Sequence, residues 1–226
     1  MSNLLGASEI REIAERIGVS PTKKLGQNFV IDANTCRKIV NSAEVGSEDI
    51  ALEIGPGLGS LTLALLEKAK EAIAIEIDSR LAAELPETVS RHGFDLKKLT
   101  VVNQDAMAVN SLPKAPTVLV ANLPYNVSVP VLLRAFEKLP SLIKGVVMVQ
   151  SEVADRLIAK PGSKDYGSPS AKCNWWADMS SGGSVSRSIF WPVPNVDSSL
   201  VKFERHTTPG NEALRQLTFK VIDKAF

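Results

Sequence analysis

Three glycines at alternate positions, Gly55, Gly57 and Gly59, interrupt an otherwise apolar run and leave few folds open to this chain. The stretch from Ile50 to Asp78 reads IALEIGPGLGSLTLALLEKAKEAIAIEID. Ile50 to Ile54 is a short apolar run of the kind a buried parallel strand shows. The glycine segment cannot continue that strand, and without Cβ atoms it lets the backbone approach a ligand closely. Ser60 is placed to cap the following helix, whose residues Leu61, Leu63, Ala64, Leu65 and Leu66 predict a mostly buried face. Ala72 to Ile77 then predicts a second strand with Glu76 near its carboxyl end. A βαβ unit of this kind puts a ligand at the carboxyl edge of a parallel sheet.

Glu76 lies 76 − 55 = 21 residues after the first glycine. At that spacing an acidic side chain can accept hydrogen bonds from both ribose hydroxyls, so the expected ligand is a nucleoside. Two cofactors fit, NAD and S-adenosylmethionine (SAM). The NAD fingerprint is G-x-G-x-x-G, and here the third glycine comes one place early. Glu53, just before the turn, would repel a pyrophosphate but favours a cationic, amino-bearing ligand. SAM carries a sulfonium and an ammonium, which puts it ahead of NAD.

With 226 residues and 44% hydrophobic content, the chain can bury one full core and a small appendage. No segment approaches the length of apolar residues that a membrane helix needs. The N-terminus, MSNLLGASEIREIAERIG, lacks a basic-then-apolar signal pattern, which points to the cytoplasm. Cys36 and Cys173 form no CxxC pair and are expected as free buried thiols. His92 and His206 are read as isolated surface or loop residues, and no metal site is expected. The net charge of +1 carries no global signature of nucleic-acid binding. Local excess is modest, at Lys23-Lys24 and at Arg156, Lys160, Lys164 and Lys172.

Elsewhere the periodicity predicts a helix over 8–18 with Ser8 as its cap, a loop over 23–31, and a helix from Ala33 to Ser42 capped by Asp32. In the loop, the Gln27 and Asn28 amides are candidates to bond the polar end of a nucleoside. A helix over Ser79–Ser90 is expected to be interrupted at Pro86. Leu99 to Val102 predicts a third strand, ending near Asp105. That aspartate can accept a hydrogen bond from an adenine amino group, or it can cap a turn.

Thr117 to Ala121 predicts a fourth strand that delivers Asn122-Leu123-Pro124-Tyr125. Pro124 stiffens this loop. The Asn122 side-chain oxygen and a backbone carbonyl can accept both hydrogens of an exocyclic amine, while Tyr125 stacks on the ring. A helix over Ser128–Lys138, a strand over Gly145–Val149 and a helix over Glu152–Ala159 follow. Residues 161–170 are expected as a polar loop. Trp175-Trp176 and Phe190–Pro194 are read as bracketing a glycine- and serine-rich turn, and Leu200–Phe203 as a closing strand. From Gly210 an amphipathic helix is expected, with Leu214, Leu217, Val221 and Ile222 on its apolar side.

Glu53-x-Gly55-x-Gly57-x-Gly59, Glu76, Asp105 and Asn122–Tyr125, in that order, resemble the class I SAM-dependent adenine-N6 methyltransferases. LGQNF at 25–29, EIGPGLGSLT at 53–62, NLPYNVSVPVLL at 122–133 and FWPVPNVDSSLV at 190–201 narrow this to a resemblance to the KsgA-type rRNA adenine dimethyltransferases, over about residues 20–226. The Erm enzymes, which methylate 23S rRNA, share part of these motifs. Val196-Asp197-Ser198 and the leucine of NLPY favour the KsgA type.

The resemblance implies an α/β fold: a mostly parallel, seven-stranded Rossmann-like sheet with helices on both faces. It implies an N-terminal extension over 1–24, a catalytic domain over 25–206, and the beginning of a small helical rRNA-recognition domain over 207–226. SAM contacts are implied for Asn28, Val30, Gly55, Gly57, Glu76, Asp105 and Asn122, with S-adenosylhomocysteine (SAH) as product. Asn122, Leu123, Pro124 and Tyr125 would form the catalytic loop. The implied substrate is two adjacent adenines near the 3′ end of 16S rRNA in the 30S subunit, each dimethylated by a cytoplasmic monomer. An arginine is usual after Tyr166-Gly167, where this chain has Ser168. A non-catalytic rRNA-binding factor is the alternative from another class.

Overall fold

The computed structural model describes residues 4–21 and 28–226. Lys23-Lys24, Gln27 and the first part of LGQNF lie outside them. Helix α1 (Ala7–Arg16) is followed by strand β1 (Phe29–Val30), α2 (Ala33–Ser42), β2 (Ile50–Ile54), α3 (Ser60–Leu66) and β3 (Glu71–Glu76). Next come α4 (Ser79–Arg91), β4 (Leu99–Asn103), β5 (Val118–Asn122), α5 (Ser128–Lys138), β6 (Lys144–Gln150) and α6 (Ser151–Ile158). The chain continues through α7 (Ser168–Cys173), β7 (Ala177–Val185), β8 (Phe190–Trp191), β9 (Ser198–Arg205) and α8 (Glu212–Ala225).

The main sheet has seven strands in the order β4-β3-β2-β5-β6-β9-β7. The first five are parallel, and β9 runs antiparallel between β6 and β7. From β2 the chain winds outward one way through β3 and β4, then returns to add β5 and β6 on the other side. The carboxyl ends of β2 and β5 therefore flank a topological switch point, where ligands bind in open α/β sheets.

Both faces of the sheet are covered. Val118, Val120, Val146 and Met148 point into a core shared with α1, α2, α3 and α4, while Leu119, Ala121, Val147 and Val149 point into one shared with α5, α6 and α7. Successive strand residues feed opposite layers, which is why these strands read as continuous apolar runs. Each large side chain fully buried there contributes about 1.5–3 kcal/mol.

The structure departs from several local expectations. Gly6, with no side-chain bond, stands at the N-cap of α1, so Ser8 falls inside the helix. Gly59 rather than Ser60 occupies the N-cap of α3. Helix α4 runs unbroken through Pro86, because Leu81, Leu85 and Val89 anchor it on the same buried side before and after the proline. Residues 168–170 of the expected polar loop belong to α7, with Ser168 in its first turn.

The glycine- and serine-rich segment after Trp176 is β7, a nine-residue edge strand paired with β9. A register shift between Ser181 and Gly183 lets it pass Leu200, whose Cβ would lie 2.7 Å from a Cβ at Gly182. Sheet pairing here overrides a composition poor in strand formers. His92 lies in the turn after α4, as a loop residue, but its side chain is only 10% exposed and its Nε2 lies 3.0 Å from Glu9 Oε1 on α1. The apolar side expected for α8 is largely exposed at Leu214, Leu217 and Val221, and Phe219 instead turns inward onto Trp175. Cys36 and Cys173 are free and buried. Among the described residues no helix is long and apolar enough to cross a membrane.

Candidate active site at the carboxyl edge of the sheet

A cleft of about 390 Å³ opens at the switch point. Asn28, Val30, Gly55, Gly57, Glu76, Asp105, Asn122, Leu123, Pro124 and Tyr125 all line it, so every described site residue expected from the sequence reaches one cavity. Its size falls in the range of pockets that hold small organic ligands.

The glycine turn is built by close approach. Gly57 has φ 57°, and a Cβ there would lie 2.9 Å from two ring carbons of Phe29. Only a residue without a side chain lets the Phe29 ring rest on this turn. Gly59 has φ 98°, and a Cβ there would lie 2.8 Å from Leu85 Cδ1 of α4. The third glycine thus serves the packing of α3 against α4. Ser60, displaced from the expected cap, donates its hydroxyl to the Val30 carbonyl at 2.6 Å and ties β1 to α3.

Two carboxylates lie in the cleft wall. Glu76 is 5% exposed and accepts from Gly57 N at 3.2 Å and Asp78 N at 2.9 Å, bracing the glycine turn from below. A carboxylate has about four acceptor positions, so this bracing leaves capacity for a ligand's hydroxyls. Burial raises the Glu76 pKa, opposed by the backbone N–H groups of Asp78 and Gly57. Glu53 is 1% exposed and accepts from the Thr62 hydroxyl at 2.5 Å. Burial pushes its pKa up to about 8, the Thr62 bond opposing and the nearby Glu76 charge adding to the rise. Neither carboxylate forms an ion pair with a described residue. Two buried acids without a cation suit a positively charged ligand far better than a pyrophosphate.

Asp105 stands at the rim and caps a short 3-10 turn, its Oδ1 accepting from Met107 N at 2.8 Å. The capping role left open by the sequence is therefore present, on a residue that also lines the cleft. Ile77 and Met107, 62% and 40% exposed, add apolar surface nearby that the sequence did not single out.

Across the cleft, Asn122 closes β5, and its Nδ2 donates to the Asn28 carbonyl at 3.1 Å. A carbonyl partner can only be met by the NH₂ group, so the amide orientation is fixed and Oδ1 is the oxygen left to accept. Leu123 N donates to Met148 O at 3.0 Å, pinning the loop to β6. The Tyr125 hydroxyl lies 2.9 Å from Ser198 Oγ, and Ser198 is fully buried at the start of β9. Burial raises the Tyr125 pKa while the Ser198 bond lowers it. Sequence reading missed the Ser198 contact, because 73 residues separate the pair. Its only trace was the Val-Asp-Ser motif.

A family model described as Ribosomal RNA adenine dimethylase matches residues 19–226. The Ribosomal RNA small subunit methyltransferase A of Leifsonia xyli subsp. xyli is 60% identical over 225 residues, covering 99% of this chain and 80% of that protein. The protein of the same name from Streptomyces griseus subsp. griseus is 57% identical over 226 residues, covering 99% and 78%. Among solved structures, a dimethyladenosine transferase from Plasmodium falciparum superposes with a TM-score of 0.73 at 31% identity, covering 86% of this chain and 69% of that one. The 23S rRNA methyltransferase ErmE gives 0.71 at 26% identity, covering 87% and 78%.

Proposed function

Because the chain belongs to the ribosomal RNA adenine dimethylase family, we propose that it moves methyl groups from SAM to the N6 amines of two adjacent adenines near the 3′ end of 16S rRNA. It is an rRNA methyltransferase, and the names of its relatives favour the small-subunit target over the 23S target of Erm-like enzymes. In this proposal it acts in the cytoplasm as a monomer on an assembled 30S subunit. A net charge of only +1 supports a ribonucleoprotein surface as substrate over naked RNA.

The observation that carries this reading is the orientation of Asn122. With Nδ2 committed to the Asn28 carbonyl, Oδ1 is available to the target amine. Asn122 Oδ1 and the Leu123 carbonyl accept the two N6 hydrogens. Accepting both localises a lone pair that would otherwise be delocalised into the purine ring. Pro124 stiffens the loop, and Tyr125, tethered by Ser198, stacks on the adenine. Correct orientation alone can supply several kcal/mol of barrier lowering. The adenine must leave its stack to reach the cleft, which suits a base in a hairpin loop.

On the cofactor side, Glu76 and the Gly55–Gly57 turn would hold the ribose, Asp105 the adenine, and Asn28 and Val30 the facing wall. Glu53, which gives up its proton when a cation lies beside it, would offer its charge to the cationic end. When bound, SAM would supply an electrophilic methyl group. The methylated nitrogen is cationic and acidic, so water takes its proton and no strong base is required.

Tritiated methyl transfer from SAM tests the proposal, with undermethylated small subunits and protein-free 23S rRNA as parallel substrates. Label on small-subunit adenines supports it. Label confined to 23S rRNA overturns it.

A further inference from the structure

Phe29 and Trp191 sit opposite each other in a two-stranded antiparallel ribbon outside the main sheet, with Val30 opposite Phe190. Ile31 N extends the pairing to the Ile189 carbonyl at 2.7 Å. A ribbon of two residues per strand is too short to hold its own position. Side chains hold it instead. The Phe29 ring rests on Gly57, Trp191 stacks on Phe29 with centroids 6.2 Å apart at 29°, and Arg11 of α1 lies 5.9 Å over the Trp191 ring. A single stack therefore runs from the N-terminal helix to the glycine turn. The residue just before this strand, Asn28, carries the carbonyl that orients Asn122.

We infer that Trp191 is a positioning residue for methyl transfer, pressing Phe29 onto the glycine turn and so holding the Asn28 carbonyl where it aims the Asn122 amide. The inference rests on the functional reading above and adds a coupling to it. The β1 segment that walls the cofactor cleft and Asn122, the acceptor of the target amine at the end of β5, are joined by the Asn28–Asn122 bond, so whatever orders one orders the other. Cofactor and RNA therefore bind cooperatively, and by linkage each raises affinity for the other by the same factor.

The test compares wild type, Trp191→Ala, Trp191→Phe and Arg11→Met in the full chain. Steady-state methyl transfer to undermethylated small subunits gives KM for SAM and kcat, and calorimetry gives SAH affinity with and without the subunit. For Trp191→Ala, KM for SAM should rise about tenfold, kcat should fall about as much, and the SAH–subunit coupling should vanish. Trp191→Phe, which keeps a ring on Phe29, should restore most of all three. Arg11→Met should raise KM by only about two- to fivefold, the scale of one exposed cation–π contact.

A merely structural tryptophan would lower the melting temperature and the active fraction while leaving KM and the coupling unchanged. That outcome, in Trp191→Ala or, should it not fold, in Trp191→Leu, overturns the inference while the wild type remains active. A wild-type chain that binds neither SAM nor SAH overturns the functional reading, and this inference with it.

Discussion

Asn122 Nδ2 donates to the carbonyl of Asn28 across 94 residues of sequence, joining the end of β5 to the residue that leads into β1. This bond decides which atom of the amide faces the substrate. Asn122→Asp keeps an acceptor oxygen but sets a carboxylate against the Asn28 carbonyl. Its rate in single-turnover methyl transfer should fall at least about a hundredfold, the cost of a misdirected transition-state contact. Near-wild-type turnover would detach catalysis from this orientation.

Tyr125 and Ser198 should behave as a pair. Ser198→Ala and Tyr125→Phe each remove the same 2.9 Å contact. Each is expected to lower kcat/KM for the RNA substrate by about fivefold, the worth of one ordinary hydrogen bond, with SAM affinity unchanged. The double variant should be no worse than either single one, which a double-mutant cycle reads directly.

Gly57→Ala places a Cβ 2.9 Å from the Phe29 ring and forces an L-residue to φ 57°. The backbone strain alone is about 1–2 kcal/mol. SAM affinity measured by calorimetry should fall at least about tenfold, since the turn that cradles the ligand must move. Gly93→Ala, at φ 78° with open space around its Cβ, carries the strain without the clash and should leave SAM affinity intact.

Glu53 should make both stability and cofactor affinity depend on pH. Its folded pKa is raised to about 8 from an ordinary 4.5, so the folded state holds its proton longer than the unfolded one. The associated stability is full below about pH 4.5 and is lost as pH rises through about 8, at up to about 1.4 kcal/mol per unit. A cationic ligand favours the carboxylate, so SAM affinity should rise from pH 6 to 9 while apo stability falls. Glu53→Gln should flatten both trends. Parallel melting curves and SAM titrations across that range decide it.

The βαβ core was legible because its residues answer to local rules. An apolar run of strand length, a glycine turn and a helix stripe leave one arrangement, and Glu76 at the next strand end names the ligand class. The NLPY loop was readable for the same reason, since strand, amide, proline and aromatic follow one another along the chain. The β7 strand and the unbroken α4 were not. Ser180–Gly183 becomes a strand only because β9 offers it a ladder, and Pro86 stays helical only because Leu85 and Val89 are buried on both sides of it.

The sequence by itself determined the βαβ frame, the residues that line the cleft and the kind of ligand they suit, because spacing along a strand or helix sets where side chains emerge. Only the tertiary structure decided how those residues are held: Asn28 against Asn122, Ser60 against Val30, Ser198 against Tyr125, and Trp191 on Phe29. Each of these pairs is distant in sequence, and a hydrogen bond or ring contact between distant residues depends on how whole layers pack, which no local pattern records.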